Sequence, residues 1–232
     1  MKRILISIEN FGLGGIEKSL INLMKKINNE YDIDVIVQRR NDFFETQEIK
    51  KKVYEVSSNR NVLIRKIINF FKLFKYYVFN HNKYDVSVSY TTSNKVSSLI
   101  ALISSKNSVL WVHSNYYYYF NKDVNEFKKF FNRIKVHKFN KIVLVSDDAK
   151  KDFDNIYPEL SNKTISINNQ VDIESITESS KEKLETNISK GYFLFVGRLE
   201  EKSKKITRLI EAFKLLKENG FSNKLLILGN GP

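Results

Sequence analysis

The sequence predicts an α/β fold: a Rossmann-like first domain with a mostly parallel sheet, then the start of a second Rossmann-like domain. Three observations carry this. Short apolar runs of strand type alternate with amphipathic helical stretches along the whole chain. No Asn-Gly or similar hairpin turn joins two of the strand-type runs. And the chain opens, over residues 4–20, with an apolar run, a glycine-bearing turn and an amphipathic helix, the strand–turn–helix of doubly wound sheets.

Taken in order, the first strand is residues 4–8, and the helix after the turn covers about 16–27, with Leu20, Ile21 and Met24 on one face. Residues 32–37 form a buried-type strand. Residues 39–52 are polar and read as loop or short helix, and 53–56 as a short strand. Residues 61–79 form a long helix, crowded with Ile, Leu, Phe and Tyr and carrying Arg65, Lys66, Lys72 and Lys75, with Arg60 just before it. Packing on the sheet with the cations on the wet side is the favoured reading. The other is a helix lying in a membrane interface. A strand at 85–90, a helix at 95–104 and a strand at 109–112 ending in His113 follow. Then come four consecutive tyrosines, Tyr116 to Tyr119, and a basic amphipathic helix over 123–139. The run 141–145 is a strand, Ser146 caps the next helix, and 164–167 is a further strand. Residues 1–172 thus make the first domain. The polar stretch 173–190 reads as a linker, and 191–232 as the incomplete start of a second domain: strand 192–196, turn, helix 206–218, strand 225–228.

Function in parallel sheets sits at the carboxyl ends of the strands, where the glycine turn and His113 both fall. The turn reads Gly12-x-Gly14-Gly15-x-Glu17. This is not the dinucleotide spacing, so nicotinamide cofactors are disfavoured. Gly14 and Gly15 before a helix N-terminus make either an anion site or merely a tight turn. Glu17, in the first helical turn, either complements the helix dipole or serves the site.

The 232 residues carry a formal charge of +13, which favours anionic partners. There is no cysteine, so disulfides, thiolate metal sites and cysteine nucleophiles are excluded, and a reducing compartment fits. The start Met1-Lys2-Arg3 meets Glu9 too soon for a signal-peptide core, and no run reaches the roughly eighteen apolar residues of a spanning helix. No metal-ligand constellation is visible.

Several motifs together are recognisable: Gly14-Gly15-x-Glu17; Trp111-Val112-His113; Val145-Ser146-Asp147; Asn169-Gln170-Val171-Asp172; Val196-Gly197-Arg198-Leu199 with Lys204; Leu209-Ile210-Glu211-Ala212-Phe213; and Leu228-Gly229-Asn230-Gly231-Pro232. Their order resembles a retaining glycosyltransferase of the GT-B fold, the "group 1" family four. Gln170 stands where that family has Pro or Gly, and Lys205 where a Gly commonly follows the family Lys. Family members also continue for another hundred or so residues, so the resemblance covers only the first part of the second domain. This chain is therefore expected to be a truncated form, weakly active or inactive.

The resemblance implies a nucleotide-sugar donor as substrate, no other cofactor and no bound metal. Arg198 and Lys204 would neutralise the donor diphosphate, with Gly14 and Gly15 approaching it. His113 would contact the transferred sugar or an acceptor hydroxyl as the catalytic residue. Glu17, Trp111 and Tyr116 would lie on the acceptor side. Each has a plainer alternative: His113 as a core histidine, Arg198 as a surface cation, the tyrosine run as a packed loop. The implied setting is cytoplasmic, with a peripheral place on the inner face of the cell membrane as a further expectation, and a sugar or lipid-linked acceptor in surface polysaccharide or glycolipid synthesis. Two other functions compete: a non-catalytic remnant that binds acceptor or membrane, and a basic nucleic-acid-binding protein. The latter is disfavoured because no nucleic-acid motif is present and the charge is spread along the chain.

Overall fold

In a computed structural model of the chain, residues 1–12, 14–39, 51–57, 60–183 and 191–231 are described, without the side chains of 202 and 203. Leu13 of the glycine turn, most of the polar stretch 39–52, residues 184–190 of the expected linker and Pro232 lie outside them. The chain divides into two compact units, Met1–Ile173 and Glu174–Pro232.

The first unit runs β1 (Lys2–Ile8), α1 (Gly15–Ile27), β2 (Tyr31–Val37), β3 (Lys51–Val53), α2 (Val62–Asn80), β4 (Val86–Ser89), α3 (Lys95–Ser104), β5 (Ser108–Val112), α4 (Tyr116–Tyr119), α5 (Val124–Arg133), β6 (Lys141–Leu144), α6 (Asp147–Ile156) and β7 (Thr164–Ser166). All pairings are parallel, in the order β3-β2-β1-β4-β5-β6-β7. The connection reverses direction between β1 and β4, the switch point at which such sheets bind ligands. Central strands are buried on both faces, which is why β1 and β2 read as nearly continuous apolar runs.

Local chemistry sets the helices. Asn94 caps α3 by accepting from the backbone N–H groups of Val96 and Ser97. The small residues Ser97, Ser98, Ala101 and Ser104 let α3 sit close on the sheet, and Ser97 Oγ donates to the Ser7 carbonyl of β1 at 2.7 Å. Ser146 caps α6 through the Ala149 N–H, as its sequence position predicts. The basic helix expected over 123–139 is shorter: α5 ends at Arg133, and Lys135 turns left-handed at φ 61° before a single 3-10 turn. Its Phe127 and Phe131 pack with Phe153 and Tyr157 into one aromatic core cluster.

Helix α2 departs most from expectation. It is not a helix buried on the sheet: only Tyr76 is buried, its Oη sharing a 2.7 Å hydrogen bond with Ser104 Oγ of α3. Because α3 occupies the adjoining sheet face, α2 turns inward only the stripe that includes Arg65, Asn69, Leu73, Tyr76 and Asn80. Most of its apolar residues face outward.

Helix α7 (Ile173–Ser179) starts at the boundary between the units, inside the stretch expected as linker, and the second unit continues with β8 (Tyr192–Val196), α8 (Glu201–Lys204), α9 (Ile206–Glu218) and β9 (Lys224–Leu228). β8 and β9 pair in parallel. Phe193, Phe213 and Phe221 gather at 5.6 to 6.4 Å, yet none of the unit's described residues is buried. A two-stranded βαβ piece has too little apolar surface to close a core.

Candidate functional site

The site is built at the carboxyl ends of β1, β4 and β5. Tyr90 follows β4 directly, His113 follows β5 directly, and the glycine turn follows β1. Trp111 of β5 and His113, just past its end, are two residues apart in extended chain and so lie on the same side. Their rings stack at 6.2 Å, and Tyr90 touches both, at 5.1 Å from Trp111 and 4.5 Å from His113.

A polar chain runs behind this stack. Ser19 Oγ of α1 donates to Asn169 Oδ1 at 3.1 Å. Its single proton being used there, the 3.1 Å contact with Tyr90 Oη is one in which the phenol donates. Tyr90 is fully buried, and that burial pushes its phenol up to about 12. Gln170 is held by Asn22 Nδ2 donating to its carbonyl at 3.2 Å and by Lys26 Nζ donating to its Oε1 at 2.7 Å. Asp172 lies 3.9 Å from Lys25. The Asn169–Asp172 segment is therefore clamped onto α1.

His113 is 9% exposed. Burial pushes its pKa down to about 4; Asn169 and the Tyr90 backbone favour the charged form but are outweighed. At neutral pH the imidazole is uncharged. Among the described residues neither ring nitrogen has a hydrogen bond of good geometry, and the buried Trp111 Nε1 also lacks a partner. Buried polar atoms are nearly always satisfied; of those left without a partner among the described residues, Ser7 Oγ, Asn22 Oδ1 and Gln38 Nε2 lie elsewhere, and three gather in this one stack. A neutral histidine there can accept from a hydroxyl with one nitrogen and donate with the other.

At the glycine turn, Gly14 is the extended N-cap of α1 and has no side chain of its own to cap it. The Glu17 carboxylate folds back so closely that a Cβ on Gly14 would collide with it. Glu17 thus complements the helix dipole, and an incoming anion must displace it. Space is open around Gly15. Tyr116 is not free to stack on a sugar: its ring lies 4.5 Å from Phe130 and 5.7 Å from Phe131, and its phenol is directed at Thr92. Tyr118 and Tyr119 are the exposed members of that run.

In the second unit, Arg198 and Lys204 flank one turn at the carboxyl end of β8. Gly197 N–H donates to the Leu228 carbonyl at 3.0 Å and Leu199 N–H to that of Asn230 at 2.9 Å. A Cβ on Gly229 would strike the Gly197 carbonyl, and one on Gly231 the Leu199 carbonyl. These glycines let two backbones close into a cradle, and Lys204 Cε reaches over Gly197. Lys205 is left-handed at φ 53°, which gives the physical reason a glycine suits that position. Glu201 accepts the Thr207 N–H at 2.9 Å and so caps α9. Among the described residues no group of His, Asp and Glu is gathered as metal ligands.

His113 and Trp111 are candidates legible in the sequence, whereas Tyr90, Ser19 and Asn169 join them only in the structure. Tyr90 had the same signal as His113, a polar ring immediately after a central strand.

Residues 176–232 match the family model described as glycosyl transferases group 1. An uncharacterised glycosyltransferase of Methanocaldococcus jannaschii is 29% identical over 185 residues, covering 74% of this chain and 43% of its own length. The chain thus spans less than half of that curated relative. Among solved structures, HepE of Anabaena, crystallised with UDP and glucose, matches with a TM-score of 0.62 at 15% identity, over 99% of this chain and 70% of that one. WaaG, a glycosyltransferase involved in lipopolysaccharide biosynthesis, matches with a TM-score of 0.57 at 11% identity, over 99% and 64%. The second unit thus matches the group 1 glycosyl transferases in sequence, and the chain as a whole is similar in fold to solved structures that include glycosyltransferases.

Proposed function

We propose that this chain is the acceptor-side domain and the beginning of the donor-side domain of a retaining, nucleotide-sugar-dependent glycosyltransferase. The observation that carries the reading is the cradle of the second unit. Two cations and a pair of glycine-bearing turns meet at a strand's carboxyl end, within the segment that matches the family. A nucleoside diphosphate leaving group gains charge as the glycosidic bond breaks, and Arg198 and Lys204 would hold that charge. The first unit would take the acceptor. His113, neutral and unpaired, would hydrogen-bond a sugar or acceptor hydroxyl. Trp111 and Tyr90 shape the wall behind it, and the open space at Gly15 allows close approach. Glycolipid or surface polysaccharide synthesis on the cytoplasmic side is the setting that suits such a donor. The donor sugar is a substrate, and no further cofactor enters the scheme.

Calorimetry tests the donor half. UDP and GDP are titrated into the chain and into Arg198→Ala. Loss of a charge-assisted contact should weaken binding of whichever diphosphate binds by about tenfold or more. An unchanged affinity would remove Arg198 from the site.

A further inference from the structure

Helix α2 carries an apolar face that nothing among the described residues covers. With 3.6 residues per turn, the direction opposite Tyr76 is occupied by Leu63, Ile67, Phe70, Phe71, Phe74 and Val78. Phe70, Phe71 and Phe74 are 66%, 63% and 57% exposed. The outward stripe is several hundred Å² of apolar surface on aromatic area alone, larger than water-facing patches usually are. Cations border it, Lys66 on one edge and Lys75 on the other, while Lys72 turns inward and donates to the Glu55 carbonyl at 2.9 Å. Lys72 and Lys75 also line a pocket of about 490 Å³ beside Tyr54 and Phe79. Between Val56 and Tyr84 the sequence has six Lys and Arg residues and no Asp or Glu.

That pattern selects among occupants. A second copy pairing through α2 would set these cations against their own counterparts, with no acid on the helix to offset them. A spanning helix is ruled out by its four internal cations, and no helix among the described residues is long and apolar enough to cross a membrane. A helix with an aromatic face outward and lysines at its borders suits an anionic bilayer surface. We propose that α2 docks this protein onto membranes containing anionic lipid, with the outward stripe among the acyl chains and Lys66 and Lys75 at the headgroups. This rests on α2 alone and stands apart from the transferase reading.

Vesicle flotation tests it, with phosphatidylcholine alone and phosphatidylcholine mixed with phosphatidylglycerol. The chain should float with the mixed vesicles at least about tenfold more than with the neutral ones, and high salt should reduce this. Phe71→Glu/Phe74→Glu should abolish flotation, and Lys66→Gln/Lys75→Gln should cut it about tenfold. Both pairs are exposed, so circular dichroism should show an unchanged fold. No flotation with either vesicle overturns the proposal, as does equal flotation with both. So does a concentration-dependent dimer in light scattering that Phe71→Glu/Phe74→Glu dissolves, since the face would then be a self-interface.

Discussion

Acid should destabilise the first unit through His113. Its pKa in the folded chain is about 4, against an ordinary 6.5. Above pH 6.5 both folded and unfolded chains hold a neutral ring, and the burial costs nothing in protonation. As pH falls through 6.5 the unfolded chain takes a proton that the folded chain refuses. Stability is therefore lost from pH 6.5 downward, and the loss is complete near pH 4. The full gap corresponds to about 3 kcal/mol, of which about 2 kcal/mol is spent by pH 5, before most carboxylates titrate.

Trp111 makes the measurement direct. It is the only tryptophan and stacks on His113, so its fluorescence reports the unfolding of this region. Urea unfolding followed at pH 7.5, 6.5, 5.5 and 5 should show wild type losing about 2 kcal/mol more than His113→Gln across that range. The comparison of slopes removes the contribution of every other titrating group, as well as any fixed cost of the substitution. Equal slopes for the two chains would refute the reasoning, as would an NMR titration placing the His113 ring near 6.5.

Three further outcomes are expected. Phe131→Ala should cost about 3–5 kcal/mol in urea unfolding, because Phe131 is fully buried and packs on Phe127, Phe153 and Tyr116; a loss below about 1 kcal/mol would mean that the aromatic cluster is not the core of this half. Lys205→Gly should stabilise the second unit by about 1 kcal/mol, since it relieves a left-handed non-glycine, and slower amide exchange in α9 would show it. Exchange in β8 and α9 should be far faster than in β1 and β2, because the second unit buries no described residue; equal protection would contradict this.

Much of the sheet was legible because a parallel strand buried on both faces must be apolar throughout. β1, β2, β5 and β6 have little other way to read. The caps were legible too: Ser146 stands where an α6 N-terminus needs an acceptor. What failed was whatever depends on a neighbour. An apolar helix was assumed to find apolar cover. The small residues of α3 instead bring it tight against the sheet, and α2 is left to touch the protein along one stripe. The break after Arg133 was invisible because it uses Lys135 in a left-handed turn, where a glycine would have announced it. Tyr116 misled for a related reason: a tyrosine beside a site looks like a ligand wall until Phe130 and Phe131 are seen to claim its ring.

The same distinction separates the site from the scaffold. Within the core of the first unit most buried polar atoms are paired: Ser97 with Ser7, Ser87 with Ala101, Tyr76 with Ser104. Ser7 Oγ, Asn22 Oδ1 and Gln38 Nε2 are scattered exceptions, whereas Trp111 and His113, at the end of β5, hold three unpaired polar atoms side by side among the described residues. Leaving a buried donor or acceptor unmade costs about 1–3 kcal/mol each, so phenylalanines at these two positions would serve folding better. A tryptophan and a neutral histidine there, at the carboxyl edge beside the switch point, carry a stability cost that a hydrogen-bonding ligand would offset. That cost is what the pH experiment weighs, and sequence alone could point to the position but not to the missing partners.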